Sequence, residues 1–181
     1  MLVIALQGHI GSGKSTAAQI LVHKFGFVEM KFARWLKDMM RAIGLTEAEI
    51  EGPLKEVPNP ILCGKSPRQA MQSLGTEWGR NMIGSDFWAN FAVQAVKNSG
   101  LQRIVFSDCR YPNEATAIKR ELNGLVWRIH RPGTPVGTHS SESSQALVTP
   151  DMTIENHGTP EDLEEAISMV MLTRVHGQKW S

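Results

Sequence analysis

The chain has 181 residues, 41% of them apolar and 20% charged, with 19 Lys and Arg against 18 Asp and Glu. That length suits one domain with a real core, and the charge balance excludes a protein that coats nucleic acid by bulk electrostatics. No run approaches the ~20 apolar residues of a membrane span, and two cysteines, Cys63 and Cys109, are too few for a disulfide framework or a cysteine-rich metal site.

The first predicted strand, Leu2–Leu6, runs directly into the glycine-rich segment QGHIGSGKST. Gly8, Gly13, Lys14 and Ser15 match G-x-x-x-x-G-K-[ST] in full, between an apolar strand and an amphipathic helix predicted over Lys14–Phe25. Glycines let successive N–H groups turn inward onto phosphate oxygens, and the helix adds the positive end of its dipole. Lys14 is expected to bridge the β- and γ-phosphates, Ser15 to ligate Mg²⁺, and Thr16 to reach the α-phosphate. Residues 11–16 (Gly11, Ser12, Gly13, Lys14, Ser15, Thr16) thus form the expected ATP cradle.

Further along, short apolar strands are predicted at Phe27–Glu29, Ile104–Ser107, Leu125–His130 and Met152–Glu155. Helices are predicted at Ala33–Ile43, Pro67–Met82, Phe87–Asn98, Pro112–Asn123 and Pro160–Arg174, several opened by a cap signal: Ser66-Pro67, Ser85-Asp86 and Thr159-Pro160. Alternating strands and helices imply an α/β fold: a three-layer α/β/α sandwich around a parallel sheet. Residues 52–67 and 131–150 resist this pattern and read as functional flaps or as plain surface loops.

The fate of the terminal phosphate turns on the remaining residues. The guanine-reading N-K-x-D and the D-x-x-G switch of regulatory GTPases are both missing from the sequence. The strand predicted at 104–107 ends in Ser107-Asp108-Cys109-Arg110, where open α/β sheets place ligand chemistry. Asp108 there can hold Mg²⁺ through water, position an acceptor, or cap the helix that starts at Pro112; Arg110 can lie on phosphate. Cations also sit in apolar settings: Arg34 and Lys37, then Arg68 and Arg80 with Gln69, Gln72, Thr76 and Trp78. On one α-helix, Arg68, Gln69, Gln72, Thr76 and Arg80 share a face that suits a phosphate and a planar hydrogen-bonding group. Trp35 and Trp78 can stack on a ring or pack in the core. His130-Arg131-Pro132 opens a polar loop that could close over transferring phosphate, with His139 and Glu142 as its other polar groups. The histidines show no zinc spacing.

GHIGSGKST, SPRQAMQSLGTEWGR, DFWANFAVQA, FSDCRYPNEA, IHRPG followed by HSSE, and IENHGTPEDL together resemble the phage-type deoxynucleoside monophosphate kinases, from residue 4 to about residue 170. The resemblance implies a P-loop nucleotide kinase-like core with a helical monophosphate-binding part at about 31–85 and a short lid at about 131–150, all within one kinase domain. It implies ATP and Mg²⁺ as cofactors and a deoxynucleoside monophosphate as the small-molecule acceptor. No nucleic-acid polymer and no membrane are implied, and a homodimer is left open. It makes Lys14, Asp108, Arg110 and Arg131 the catalytic candidates, with Ser15 and Asp108 toward the metal. Arg34, Lys37, Arg68, Gln69, Gln72, Trp78 and Arg80 fall on the acceptor side, and His139, Ser141 and Glu142 become lid or acceptor contacts. Asn156, after the last strand, falls where related kinases run the chain past the adenine. The lid departs from the adenylate-kinase pattern: it carries Arg131 alone, or Arg128 as well if the strand end is counted, and this shifts weight to Arg110. With no signal-peptide n-region, the expected setting is cytoplasmic, in the host cytoplasm if the chain is phage-encoded. Phosphomevalonate and dephospho-coenzyme A kinases are rival small-molecule kinases, and an NTP-binding regulatory or assembly module is a rival of another class.

Overall fold

Val3, Ile4, Ala5 and Leu6 have no exposed surface at all. A strand buried on both faces must lie inside a sheet with helices on either side, and the computed structural model shows how. It describes residues 1–134 and 144–177, with side chains as far as Thr173. Five parallel strands, β1 (Leu2–Gln7), β2 (Val28–Met30), β3 (Arg103–Phe106), β4 (Leu125–His130) and β5 (Met152–Glu155), pair in the order β2-β3-β1-β4-β5. In register, Ala5 of β1 lies beside Phe106 of β3 and Val126 of β4. The chain leaves β1 toward β2 on one side and leaves β4 toward β5 on the other. The C-terminal ends of β1 and β4 therefore flank the switch point at which open α/β sheets bind ligands.

The chain divides into two compact units, residues 1–31 with 93–181, and residues 32–92. The first holds the sheet. On one face, Ile4, Leu6, Trp127, Ile129 and Ile154 pack with Ala17, Ala18 and Leu21 of α1 (Lys14–Phe25) and with helix Pro160–Gly177. Helix Pro112–Leu122 buries Ala115, Ile118 and Leu122. Each of the larger side chains contributes about 1.5–3 kcal/mol by leaving water. No described helix is long and apolar enough to cross a membrane. Cys109 is buried just past β3, and burial, then the charges of Glu114 and Asp108, push its thiol pKa well up.

The second unit is helical. It contains α2 (Arg34–Ala42), α3 (Glu47–Ile50), α4 (Pro67–Ser73) and the start of α5 (Phe87–Ser99). Met40, Leu45, Ile50 and Met71 form its own core. Residues 52–67 are not featureless: two 3₁₀ turns, Pro53–Glu56 and Pro60–Leu62, surround buried Asn59. The Asn59 amide N–H donates to Lys65 O at 3.0 Å, and its side chain donates to Glu49. Four prolines hid this order, because 3₁₀ turns lack the periodicity that marks helices or strands.

The single α-helix expected over Pro67–Met82 is corrected. It is α-helical only to Ser73 and continues as a π-helix over Leu74–Ile83. The cause lies in two glycines and a tryptophan. Trp88 Nε1 donates to Gly75 O at 2.9 Å, and a Cβ on Gly79 would stand 2.5 Å from that same nitrogen. The wider i→i+5 turn, rare in itself, lets the indole lie on backbone. Trp78, Phe87, Trp88 and Phe91 then continue edge to face, with Phe87 at 5.3 Å from Trp78 and 4.8 Å from Trp88.

Candidate active site

The loop after β1 is shaped by two approaches too close for a side chain. At Gly8 (φ +146°) a Cβ would stand 2.3 Å from Ile129 O of β4. At Gly13 (φ +104°) it would stand 2.5 Å from Asn156 Nδ2. Both positions require glycine, by space and by backbone. Gly13 is the N-cap of α1, so the loop ends on a helix N-terminus. Lys14 Nζ folds back over the loop and donates to the carbonyls of Gly8 at 2.5 Å and His9 at 2.8 Å. Its ammonium is thus held at the loop's mouth by groups that an incoming phosphate can replace. Ser15 is exposed, and Ser12 is buried with its hydroxyl meeting no partner among the described residues.

Side chains fix this loop from below. Asn156, itself buried, donates from Nδ2 to Ser12 O at 2.8 Å, and its own N–H donates to His130 O at 2.7 Å. Gln145 Oε1 accepts from Gly8 N at 3.1 Å. The Gln7 carboxamide is satisfied when its oxygen faces Arg128, accepting from Nε and Nη2 at 2.8 Å each, while its nitrogen donates to Gln145 O at 3.2 Å. Arg128 Nη2 also donates to Val148 O at 2.8 Å. Sequence reasoning missed Gln7 and Gln145, since glutamines distant along the chain carry no local pattern.

The ends of the neighbouring strands complete the setting. Because β3 lies beside β1, residues 107–110 leave the sheet next to the loop. Ser107 donates to Glu29, and its N–H donates to Met30 O at 3.3 Å. Asp108 and Arg110 are half-buried with Cys109 fully buried between them, which is the alternation expected of extended chain. The cap of helix Pro112–Leu122 is formed at Tyr111, and Glu114 supplies the carboxylate. Glu114 Oε2 accepts from Arg110 N at 2.8 Å and Tyr111 N at 3.1 Å. Glu114 is 3% exposed, and the signal that could have found it is an acidic residue at the third helical position. On the other side, Arg131 opens a turn closed by Thr134 N at 3.3 Å and Thr134 Oγ1 at 2.7 Å, both donating to Arg131 O. Gly11 faces Thr134, with a Cβ there lying 4.0 Å from Thr134 Cγ2. The turn that carries Arg131 thus lies against the loop. His139, Ser141 and Glu142 fall outside the described residues.

The acceptor-side candidates Arg34, Lys37, Arg68, Gln69, Gln72, Trp78 and Arg80 lie in residues 32–92. Arg34 meets Asp38 at 3.6 Å, Lys37 pairs with Glu51, and Arg68 pairs with Glu56. Arg80 Nη1 donates to Ser85 O at 3.3 Å. Gln69 works locally: its Oε1 accepts from Ser66 N at 3.0 Å in a capping box. Gln72 is exposed. Trp78 packs in the aromatic cluster. The shared face expected of Arg68, Gln69, Gln72, Thr76 and Arg80 is corrected, because α-helical spacing ends at Ser73. Lys55, which the sequence did not single out, has its pKa lowered by burial and then by the charges of Lys37 and Arg68, so cations gather around the first 3₁₀ turn. Among the described residues no group of three or more His, Cys, Asp or Glu could hold a metal ion. The loop still fits a triphosphate and Mg²⁺, whose oxygen-ligated chemistry needs a hydroxyl and phosphates rather than a protein cage.

The family model for deoxynucleotide monophosphate kinase matches residues 46–167. This chain belongs to the deoxynucleotide monophosphate kinase family. A protein of Acanthamoeba polyphaga mimivirus that bears the same kinase name is 33% identical over 92% of this chain and 94% of its own. In fold, this family member is similar to shikimate kinase from Aquifex aeolicus, with TM-score 0.51 and 14% identity over 97% of this chain and 99% of that one. It is also similar to dephospho-CoA kinase from Campylobacter jejuni, with TM-score 0.52 and 16% identity over 98% and 99%. As a deoxynucleotide monophosphate kinase family member with a P-loop kinase fold, the protein is a phosphotransferase that uses a nucleotide.

Proposed function

We propose that the protein transfers the γ-phosphoryl group of ATP in line to the 5′-phosphate of a deoxynucleoside monophosphate, giving ADP and the diphosphate, in a cytoplasmic setting. The observation that carries this reading is the Gly8–Thr16 loop itself, with Lys14 poised on the Gly8 and His9 carbonyls at the switch point of the sheet.

Residues 11–16 cradle the donor phosphates, and Lys14 exchanges its two carbonyl partners for β- and γ-oxygens. Ser15, and Asp108 through water, would hold Mg²⁺, which would supply charge neutralisation. Arg110 lies on the charge shared by donor and acceptor, and its backbone is preset by Glu114. Arg131 adds a second cation beside Gly11. Asn156 serves the donor site by holding Ser12 rather than by its exposure. Arg34, Lys37, Arg68 and Arg80 bind the acceptor monophosphate, which needs cations to suppress repulsion more than it needs a base.

The test is ADP release with and without a panel of deoxy- and ribonucleoside monophosphates, phosphomevalonate and dephospho-coenzyme A. ADP dependent on a deoxynucleotide supports the reading, and Lys14→Ala should abolish it without unfolding the protein. ADP that forms at the same rate without any acceptor sinks it.

A further inference from the structure

Two bonds tie residue 145 to the end of β1. With the Gln7 carboxamide oxygen turned to Arg128, accepting from two nitrogens at 2.8 Å, its nitrogen donates to the main-chain carbonyl of Gln145 at 3.2 Å; independently, the Gln145 side-chain oxygen Oε1 accepts from Gly8 N at 3.1 Å. Gln7 is 1% and Gln145 4% exposed, so water does not compete for these bonds. The Gly8 N–H is a donor, so only the carbonyl end of Gln145 can satisfy it. The other end, Nε2, is buried and meets no acceptor among the described residues. A buried amide with one end unpaired costs about 1–3 kcal/mol, and such a group calls for an explanation. The Arg128 charge strengthens the bond from Gln7 to the Gln145 main chain, which holds residue 145 in place.

What the paired end of Gln145 does is set the loop's first amide. Gly8 N–H is committed to Gln145, so this amide is already paired before any phosphate arrives. Gly8 also cannot shift toward β4, because Ile129 O stands where its Cβ would be. We infer that Gln145 is a positioning residue of the phosphate-binding loop: by holding the Gly8 amide it keeps the loop in its phosphate-accepting shape before nucleotide arrives. The inference rests on the donor-site reading above. It links the loop to the segment at residues 144–148, 137 positions further along the chain.

The test uses the full chain and ADP as probe, with affinity read by calorimetry, KM for ATP by kinetics, and stability by thermal melting. Gln145→Met keeps length and packing but removes the acceptor. Val148→Ala loosens the same segment while leaving the Gln145 carboxamide in place. The expected result is a rise of about tenfold in ADP Kd and ATP KM for Gln145→Met, the effect of one buried N–H left unpaired. Val148→Ala, though it melts earlier, should bind ADP within about twofold of the wild type, since it removes packing and no bond to the loop. Equal affinity in Gln145→Met and wild type overturns the inference, as does equal weakening in both variants. A variant that does not fold leaves the wild type to decide: in nucleotide-free, ¹⁵N-glycine-labelled protein the Gly8 amide must be protected from hydrogen exchange, and fast exchange overturns the inference. Wild type that binds no ADP, with Gly8 still protected, instead refutes the donor-site reading and leaves the Gln145 bond standing.

Discussion

Asn156 holds Ser12: the amide of one donates to the backbone carbonyl of the other at 2.8 Å, across 144 positions of sequence. The last strand thus reaches under the phosphate loop. Asn156→Ala would leave the Ser12 carbonyl buried without that donor, at a cost of about 1–3 kcal/mol. The expected outcome is weaker ATP binding together with a lower melting temperature. Titration of ADP into the variant checks it; unchanged affinity would mean that the loop holds its shape unaided.

Arg110 and Asp108 give the sharpest test of transfer. Arg110→Lys keeps the charge and loses the planar fork. Its single-turnover transfer rate should fall roughly a hundredfold, as when one preorganised donor is removed. Asp108→Asn should slow transfer comparably, and its defect should vary with Mg²⁺ concentration. Glu114 accepts from the Arg110 and Tyr111 amides at the start of the following helix, and thermal melts of both variants beside the kinetics separate a stability defect from a loss of transfer. Normal turnover in Arg110→Lys would move the search for the key cation to Arg131.

Gly79→Ala tests the π-helix. The new methyl would meet the Trp88 ring at 2.5–2.8 Å, and overpacking of this kind costs about 1–3 kcal/mol. Gly84→Ala is the matched control, since a Cβ there meets nothing within 4 Å. Thermal melts should separate the two variants. Equal melting temperatures would show that the indole can give way.

Glu49 makes the helical unit sensitive to acid. Its carboxylate accepts from Thr46 N and Thr46 Oγ1, both at 2.7 Å, and from Asn59. The Thr46 backbone bond is the largest cause that lowers its pKa below the ordinary 4.5. A lowered folded-state pKa contributes stability above the unfolded value and loses it as pH falls through the folded value. The stability advantage of wild type over Glu49→Gln should therefore be full near neutral pH and shrink below pH 4.5. Melting both proteins across that range checks the sign. An advantage that grows in acid would contradict the capping role.

The helix Lys14–Phe25 and the strands Leu125–His130 and Met152–Glu155 were legible to the residue, because a glycine-rich loop and short apolar runs carry their own boundaries. The π-helix was not. Its sequence, LGTEWGRNMI, has an acceptable α pattern, and what widens it is Trp88, which belongs to the next helix. The same limit hid the support beneath the phosphate loop. Gly8, Gly13, Lys14 and Ser15 announce themselves by spacing, whereas Gln7, Arg128 and Gln145 become partners only once β1 and β4 lie side by side. Likeness to other kinases singled out Asn156 as an adenine-side residue, whereas its bond to Ser12 arises only once the last strand lies beside the loop.

The two cysteines divide between the two units in a way that makes them a clock. Cys63, exposed in residues 32–92, should react with a thiol reagent at once. Cys109 is buried just past β3, next to Asp108, and its raised thiol pKa keeps it from the thiolate form that reacts. Its modification counts openings of the segment that follows β3. A nucleotide that binds only the closed form must slow that count in proportion to its occupancy. Two mass increments on one intact chain, the first immediate and the second delayed, would therefore time the breathing of the donor site without a label or a substitution.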